Sequence, residues 1–559
     1  MDSRICKSRI CRVPAYRQII WYWIIILTFG LFFTVMLSGY CQWPLSMLPL
    51  RHRSVFNNET QMLKIPEDLG FSEYEWDRIQ RALHWGEPDH QITTATMSTS
   101  PDHSTFLINN FKDSYYVGEE LHATIVARDF TGMPKHYGGD LFQAKVYSDT
   151  LKASVFGDVL DHQNGTYSAR FTLPWVGTAL VAIRLIHSSE GVQVLKRIRD
   201  SSYIYYLGFF VGKNPQGARV EEKAMCNLKW EGVVLPGKGE RCEYKDARTG
   251  TTWHCRKPRT LPCDALLYHN TDELMRDITT ALDRVLMSRQ HVDHWLKGDS
   301  RQIRVIASNS TIGTIKSCKP GMPTPTPAGF YMNDIWTSFV CATRHFGDVN
   351  DRTQCLKDKQ IYTMGDSTLR QWFEFLCGAV PTLKRMNLYS DRQVGPFMAV
   401  DVANNILLHH RSHGAPRCCP DGPIAAMHYI SNQIDDLAGG PHTVIVLNVL
   451  AHFTQFPVSF YAHRVYQIRR AVVALLKRAP QTKVIIKTAN TGYKDLNRSD
   501  WLAMQLDQIL REVFRDVGVY ILDVWQMTAC HYNADDLHPA QVIVQNEIDI
   551  LLSIICPKI

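Results

Sequence analysis

Continuous apolar segments of strand length recur through residues 355–559, and amphipathic segments of helix length cover residues 460–479 and 501–517. A strand that is apolar on both faces is typical of a parallel sheet covered by helices on each side, and parallel strands need long crossover connections. The candidate strands cover residues 361–364, 406–408, 443–447, 483–487 and 519–524. This pattern predicts a three-layer α/β/α domain.

A Gly-Asp-Ser sequence, Gly365 to Ser367, follows the first of these strands and precedes a helical segment. Such a turn places Ser367 at the carboxyl edge of a parallel sheet, where α/β proteins carry their chemistry. A serine hydroxyl is a weak nucleophile until a neighbouring base accepts its proton. His538 is the candidate base, and Asp535 is the candidate partner of the other imidazole nitrogen. The sequence thus predicts a catalytic triad of Ser367, His538 and Asp535.

Other interpretations of these residues exist. Ser367 could instead cap the helix that follows it, and His538 could be an ordinary loop residue. Asp536 competes with Asp535 for the third position of the triad. The elbow of α/β-hydrolases does not fit, because its Gly-x-Ser-x-Gly pattern requires glycine where Leu369 stands.

The N-terminal part of the chain predicts a membrane anchor. The run from Ile19 to Ser38 has no charged side chain and is long enough to cross a bilayer as a helix. Positive residues precede it, and positive flanks stay in the cytosol; they are Arg4, Lys7, Arg9, Arg12 and Arg17. We therefore expect a cytosolic tail at 1–18, a signal anchor at 19–38 and a lumenal remainder. A cleaved signal peptide is the alternative.

Cysteines and glycosylation motifs agree with the secretory pathway. The chain has 15 Cys, of which the 12 from Cys226 to Cys556 would be lumenal, and in an oxidising compartment the default for these is disulfides. A zinc site is not favoured, because no Cys-x-x-Cys pair occurs. Asn-x-Ser/Thr acceptors for glycans occur at Asn58, Asn164, Asn309 and Asn497. The net charge of +7 arises largely in the N-terminal tail, so the remainder has no nucleic-acid footprint.

Composition divides the predicted lumenal part into four regions. Residues 39–103 are rich in polar residues and predict a stem. Residues 104–212 show short alternating strands with turns at Gly138-Gly139 and Asn164-Gly165, which predict a β-sandwich of immunoglobulin or filamin type. Residues 213–354 are Cys-rich, and residues 355–559 form the α/β domain.

Seven cysteines lie between Cys226 and Cys355, and we expect them to pair mainly with one another. Because their number is odd, one of them must pair outward or remain free. The seven are Cys226, Cys242, Cys255, Cys263, Cys318, Cys341 and Cys355. The outward candidates are Cys377, Cys418, Cys419, Cys530 and Cys556.

The order of anchor, filamin-like sandwich, Cys-rich segment and Gly-Asp-Ser to Asp-x-x-His resembles the neurexophilin and PC-esterase domain (NXPE) family. Its C-terminal part is similar to the GDSL/SGNH esterases of the PC-esterase branch. This resemblance implies that an Asn and a Gly complete the oxyanion hole. Asn448, at the end of the predicted strand 443–447, and Gly414 are the matching residues, and His452 is the nearest match to a His found after that Asn.

The resemblance further implies a carbohydrate-active serine enzyme in the Golgi, which adds an O-acetyl group to a glycan, such as one carrying sialic acid, or removes one. No bound cofactor is expected, and acetyl-CoA is the candidate acyl donor. A different class of function remains open. Neurexophilins bind neurexins, so the chain could be a secreted or cell-surface ligand whose esterase fold is dormant.

Overall fold

The computed structural model describes residues 70–557, except 202–204, 229–238, 271–277, 309–315, 391–394, 415–421, 427, 497 and 534. The α-helices of this part are α1 (Glu73–Ala82), α2 (Ser189–Ser201), α3 (Ala281–Leu286), α4 (Val349–Leu356), α5 (Ser367–Ala379), α6 (Ile430–Asp435), α7 (Val458–Arg478), α8 (Asp500–Phe514), α9 (Trp525–Cys530) and α10 (Gln541–Ile555).

The β-strands of the same part form three sheets. They are β1 (Thr105–Ile108), β2 (Tyr115–Tyr116), β3 (Glu120–Val126), β4 (Leu141–Ser148), β5 (Ala153–Asp161), β6 (Thr166–Thr172), β7 (Gly177–His187), β8 (Tyr206–Lys213), β9 (Arg219–Leu228), β10 (Arg241–Lys245), β11 (Thr252–Arg256), β12 (Leu266–Asn270), β13 (His294–Trp295), β14 (Lys297–Gly298), β15 (Ile303–Ile306), β16 (Gly329–Met332), β17 (Ile335–Ser338), β18 (Gln360–Gly365), β19 (Lys384–Met386), β20 (Phe397–Asp401), β21 (Ile406–Ser412), β22 (Gly422–Pro423), β23 (Thr443–Leu447), β24 (Lys483–Lys487) and β25 (Tyr520–Leu522).

The first sheet folds over itself into a β-sandwich. Its path runs β14-β1-β3-β6-β5-β4-β7-β15-β2, and strand β5 makes the bend, since its first half pairs with β4 and its second half with β6. A side chain at Gly157, in the middle of β5, would clash with the Phe171 ring. Apolar residues of β3, β6, β4 and β7 fill one shared core. The sandwich predicted for residues 104–212 also takes in β13 to β17 from the Cys-rich segment.

A second sheet follows the sandwich and is held by disulfides. Its strands lie in the order β10-β11-β9-β8-β12-β22. Cys226 on β9 and Cys255 on β11 are directly opposite in the register and form a disulfide. Cys242 on β10 is bonded to Cys263, so two bonds tie together a sheet whose strands are short.

The C-terminal sheet has helices on both faces. Strands β21, β18, β23, β24 and β25 are parallel neighbours in that order, and β20 joins the β21 edge antiparallel. In β23, Val444 and Val446 pack into a core that includes side chains of α5 and α10. The alternate residues Ile445 and Leu447 pack into a separate core with α7 and α8. The two cores confirm the three layers predicted from the apolar strands.

The prediction of a stem over residues 39–103 is wrong for the part that is described. Helix α1 buries Trp76 and Ile79 in the same core as α7 and α8. Arg78 Nε lies 2.7 Å from Glu512, and Glu75 accepts from Arg469 at 2.6 Å. The amphipathic pattern of α1 therefore serves to dock it on the C-terminal domain.

The Ser/Thr-rich run near residue 98 is also buried rather than exposed. Ser98, Thr99 and Ser100 have no solvent-accessible surface. The Ser100 N–H donates to the Arg128 carbonyl at 2.7 Å, and the Ser98 hydroxyl donates to the Ala95 carbonyl at 2.7 Å. Small hydroxyl side chains can be buried when local backbone groups satisfy them, and composition alone does not reveal this.

The cysteine prediction is confirmed for the described residues. Six of the seven cysteines pair within their own segment, the third bond being Cys318–Cys341. The seventh, Cys355 on α4, pairs outward with Cys556 just after α10. Cys377 and Cys530 are unpaired, and Cys418 and Cys419 lie outside the described residues.

The membrane anchor and most glycosylation sites fall outside the described part. In the residues that are described, no helix is both long and apolar enough to span a bilayer; the predicted span 19–38, with the tail 1–18, is not among them. Asn58, Asn309 and Asn497 are not described either. Asn164 is exposed in the turn between β5 and β6, where a glycan could be attached without burying it.

Candidate active site

Ser367 lies at the carboxyl end of β18, between β21 and β23 in the middle of the parallel sheet. It is the first residue of α5, and Asp366 caps that helix: Oδ1 accepts the Thr368 N–H at 2.9 Å and the Thr368 hydroxyl at 2.7 Å. A side chain at Gly365 would clash with the Asn448 carbonyl, so the turn needs glycine there. Because Asp366 supplies the cap, the Ser367 hydroxyl is free for another partner.

That partner is His538, which the sequence places far from Ser367 but the fold brings beside it. Ser367 Oγ and His538 Nε2 are 2.7 Å apart and share a hydrogen bond. Ser367 is half-buried and His538 is exposed, so the pair is open to a substrate. In this geometry Nε2 can accept the hydroxyl proton, as a serine nucleophile requires.

The loop that carries His538 is fixed on both sides by amide side chains. Asn490 donates to the Leu537 carbonyl at 2.7 Å, and Gln371 on α5 donates to the Pro539 carbonyl at 2.9 Å. Lys487, buried in the sheet, donates to Asn490 Oδ1 at 2.7 Å. The residues on each side of His538 are therefore tied to β24 and to the helix that begins with Ser367.

The structure does not place Asp535 in the position predicted for it. Arg184 of the sandwich donates to both of its oxygens, at 3.1 and 3.0 Å, and Lys494 donates to Oδ2 at 2.9 Å. None of the hydrogen bonds that Asp535 makes with described residues goes to His538. The local reason is that two cations, Arg184 and Lys494, bind this carboxylate in place of the imidazole. In addition, a residue three positions before His538 reaches its imidazole only in a helical turn.

The competing residue Asp536 contacts His538 through the backbone. Its Oδ1 accepts the His538 N–H at 3.0 Å, and the residue is exposed. The charge of Asp536 acts to raise the pKa of His538, although burial acts more strongly to lower it. Asp536 thus stabilises the turn and the imidazolium without forming the third member of a triad.

The predicted oxyanion donor Asn448 is also engaged elsewhere. Its side chain is buried, and its Nδ2 donates to the carbonyls of Lys487 and Thr488, each at 3.2 Å. The Oδ1 atom has no hydrogen-bond partner among the described residues. Asn448 does emerge at the sheet edge as expected, but in this structure its donors join the ends of β23 and β24.

Gly414, the other residue predicted for the oxyanion hole, makes no hydrogen bond with Ser367 in the described part of the chain. A Cβ at position 414 would lie 2.9 Å from the Tyr429 ring. Its carbonyl accepts from His413 Nδ1 at 2.6 Å. His413 Nε2 must then be the acceptor in its 2.8 Å bond with His452 Nδ1, because a neutral imidazole carries one hydrogen. The donor role of the Gly414 N–H stays a prediction.

The pair of His413 and His452 adjoins the carboxylate next to Ser367. Burial acts to raise the pKa of Asp366, but the charges of His452 and Lys487 outweigh it, and the pKa lies below its ordinary value. Burial is also the main reason why the pKa of His413 falls to about 3. The turn that carries Ser367 therefore contains an ionised Asp366, and the neutral His413 contacts the same turn by donating its backbone N–H to the Gly365 carbonyl at 3.1 Å.

We expect the pH profile of ester hydrolysis to follow His538. His538 is exposed to solvent only on part of its surface, and the partial burial of its imidazole lowers the pKa below its ordinary value of 6.5, with Arg370 and His452 acting in the same direction against Asp366 and Asp536. A protonated imidazole cannot accept the serine proton, so kcat/KM should fall to half of its maximum at a pH below the ordinary pKa of a histidine. In Arg370→Met, which removes a nearby positive charge, the decline should begin at higher pH.

The measurement is kcat/KM for a small acetyl ester between pH 4 and pH 9. Lys384→Met, on the exposed edge strand β19, is the control and should leave the profile in place. A profile that is the same in Arg370→Met and in the unmodified chain would rule out His538 as the titrating base.

Two residues that hold the His538 loop, Asn490 and Gln371, were not predicted from the sequence. Asn490 follows the carboxyl end of β24, just as Asn448 follows β23, and this shared position is a signal that could have identified it. Gln371 carries no such signal, since it is one polar residue on an amphipathic helix. Its role depends on where the loop after α9 lies in the folded structure.

Fold and site together define the class of protein. The chain is multidomain: it contains a β-sandwich, a disulfide-bonded sheet and an α/β domain with a Ser-His pair at its edge. Its disulfide-rich regions fit a secretory or extracellular protein. A family model described as Neurexophilin matches residues 87–282. Another, described as the C-terminal domain of proteins like NXPE family member 4, matches residues 336–556. Both matches support the resemblance to the NXPE family that the sequence indicated.

Proposed function

We propose that this chain is a serine acyl enzyme that adds O-acetyl groups to glycans or removes them. The observation that carries the proposal is the 2.7 Å hydrogen bond between Ser367 Oγ and His538 Nε2 at the carboxyl edge of a parallel sheet. The match to an NXPE C-terminal domain supports an esterase-like fold, and the sequence resemblance suggests the glycan substrate.

The reaction proceeds in two steps. Ser367 Oγ attacks the acetyl carbonyl carbon while His538 accepts the hydroxyl proton, and the leaving group departs with that proton. Water in a hydrolase, or a sugar hydroxyl in a transferase, then attacks the acetyl-serine and gives its proton to His538. The bond between the acetyl carbon and Ser367 Oγ breaks, and His538 returns the proton to Oγ. The Ser367 N–H, at the positive end of α5, is a donor for the oxyanion that forms in each step.

In the transferase form, acetyl-CoA is the acyl donor and a glycan with sialic acid is a candidate acceptor. Both are substrates of the two-step scheme rather than bound cofactors. The site would then face the Golgi lumen, with residues 19–38 in the membrane. The disulfides agree with such an oxidising compartment.

A second candidate function is that of a ligand of neurexophilin type. The match of residues 87–282 to the Neurexophilin model favours it, and a neurexin-like protein would be the partner. In this case the sandwich and the disulfide-bonded sheet make the interaction, and the Ser-His pair is dispensable.

Mass spectrometry of O-acetylated glycans distinguishes these two functions. Cells that express the unmodified chain should show altered O-acetylation, and cells that express Ser367→Ala should resemble cells without the protein. Ser168→Ala, at a serine of the sandwich strand β6, is the matched control and should behave as the unmodified chain does. O-acetylation that changes equally with Ser367→Ala would refute the acyl-enzyme proposal and favour the ligand.

A further inference from the structure

The loop that ends at His538 is attached to the β-sandwich as well as to its own domain. The two terminal nitrogens of Arg184, on β7, donate to the two carboxylate oxygens of Asp535 at 3.1 and 3.0 Å. The Arg184 side chain is 9% exposed and that of Asp535 is 7% exposed. A forked ion pair fixes orientation as well as distance, and burial protects this one from competition by water.

Arg184 is itself immobilised within the sandwich. Asp293 Oδ1 forms an ion pair with Arg184 Nη1 at 3.0 Å, and Gln143 on the neighbouring strand accepts a hydrogen bond from the same guanidinium group. The Trp295 ring lies 5.0 Å from the guanidinium carbon. Because these contacts come from β4, β13 and the turn before β13, the guanidinium is a rigid part of the sandwich surface.

A second bond joins the same face to the start of the loop. Lys145 Nζ donates to the His531 carbonyl at 2.6 Å. Lys145 lies two residues beyond Gln143 on β4, and Gln143 is directly opposite Arg184 in the β4–β7 register. One face of this strand pair therefore contacts the loop at His531 and again at Asp535.

The charges around Asp535 strengthen its contact with Arg184. Burial acts to raise the pKa of Asp535, but the charges of Lys494 and Arg184 outweigh it and hold the pKa well below its usual range. Asp535 is thus a buried carboxylate with two cations. Removing one partner of a buried pair leaves the other charge poorly compensated, so losing Arg184 would displace the loop rather than only weaken it.

We propose that Arg184 is a positioning residue for His538, through which the β-sandwich sets the alignment of the Ser367–His538 pair. Asp535 and His538 are separated by two residues, and Asn490 holds Leu537 between them, so a shift of Asp535 acts on the imidazole through the backbone at Asp536 and Leu537. The effect on reaction rests on the proposed acyl-enzyme function, whereas the effect on the loop does not.

The experiment measures how fast a fluorophosphonate phosphonylates Ser367 in the purified full-length chain. In that reaction an Oγ–P bond forms, the P–F bond breaks, His538 accepts the serine proton and fluoride leaves. We expect Arg184→Ala to lower the maximal rate of labelling by roughly tenfold to a hundredfold, the cost of an ångström-scale misalignment, with the half-saturating probe concentration unchanged. Arg184→Lys, which keeps the charge but not the fork, should recover part of the rate.

Arg170→Ala is the matched control, because the ion pairs that Arg170 makes within the described residues are with Glu120 and Asp158 of the sandwich; it should label at the normal rate. A normal maximal rate in Arg184→Ala overturns the proposal. If Arg184→Ala does not fold, Arg184→Lys decides, since a normal rate in that variant overturns the proposal in the same way.

Amide hydrogen exchange at Leu537 and His538 separates this inference from the proposed function. Arg184→Ala should speed exchange there at least tenfold, and Arg170→Ala should not. If Ser367 of the unmodified chain is not labelled at all, the proposed acyl-enzyme function is wrong. The amide exchange rates alone then test the positioning role. Unchanged exchange in Arg184→Ala overturns it.

Discussion

Replacing Ser367 or His538 with Ala should each lower kcat/KM for an activated acetyl ester by roughly four to six orders of magnitude, the scale seen when a serine nucleophile or its base is removed. The two side chains share one hydrogen bond and act as a unit in accepting and returning a single proton. The double variant should therefore be little slower than either single variant.

Neither change should affect folding, because Ser367 is half-buried, His538 is exposed, and Asp366 rather than Ser367 caps α5. The measurement is hydrolysis of 4-nitrophenyl acetate by purified variants, with Ser168→Ala as the control that keeps full activity. More than a tenth of the normal rate in Ser367→Ala would exclude the acyl-serine. Losses that multiply in the double variant would show that the two residues act separately.

Breaking the Cys355–Cys556 bond should have the largest effect on stability. The bond closes a loop over a sequence separation of 201 residues, and loop-closure entropy for that length corresponds to about 5 kcal/mol of unfolding free energy. The double variant Cys355→Ser/Cys556→Ser avoids a free thiol. Its effect is measured by urea denaturation followed by tryptophan fluorescence.

The Cys318–Cys341 bond provides the comparison, since it has the same chemistry but a separation of only 23 residues. Its double serine variant should lose about 3 kcal/mol by the same relation. Equal losses in the two double variants would mean that loop length does not determine the effect. A larger loss from the shorter loop would contradict the expectation outright.

The C-terminal fold was predictable because its sequence signals are local. Each parallel strand contains a continuous apolar run, and the residues 443–447 and 483–487 are the observed β23 and β24. The Gly-Asp-Ser turn predicted both the strand that ends at Gly365 and the helix that begins at Ser367. Hydrophobic pattern and turn chemistry agree in this region, which is where sequence reasoning is strongest.

The partners of Asp535 and Asn448 could not be predicted, because they are decided by distant residues. Arg184 reaches Asp535 from the sandwich, and Lys487 and Thr488 supply carbonyls to Asn448 from a neighbouring strand. A motif such as Asp-x-x-His specifies spacing along the chain, but it does not show which cation lies nearest in space. The docking of α1 escaped prediction for the same reason, since its polar surroundings indicated a stem.

The docking of α1 also determines how mechanical load would pass through the molecule. The helix is the first described element of the chain, yet it packs against α7 and α8 of the last domain. A pulling force applied at residue 70 would thus enter the α/β domain directly, through the Trp76 and Ile79 contacts and the Arg78–Glu512 pair. Tension from the N-terminal side would therefore act first on the contacts that hold α1 against the α/β domain.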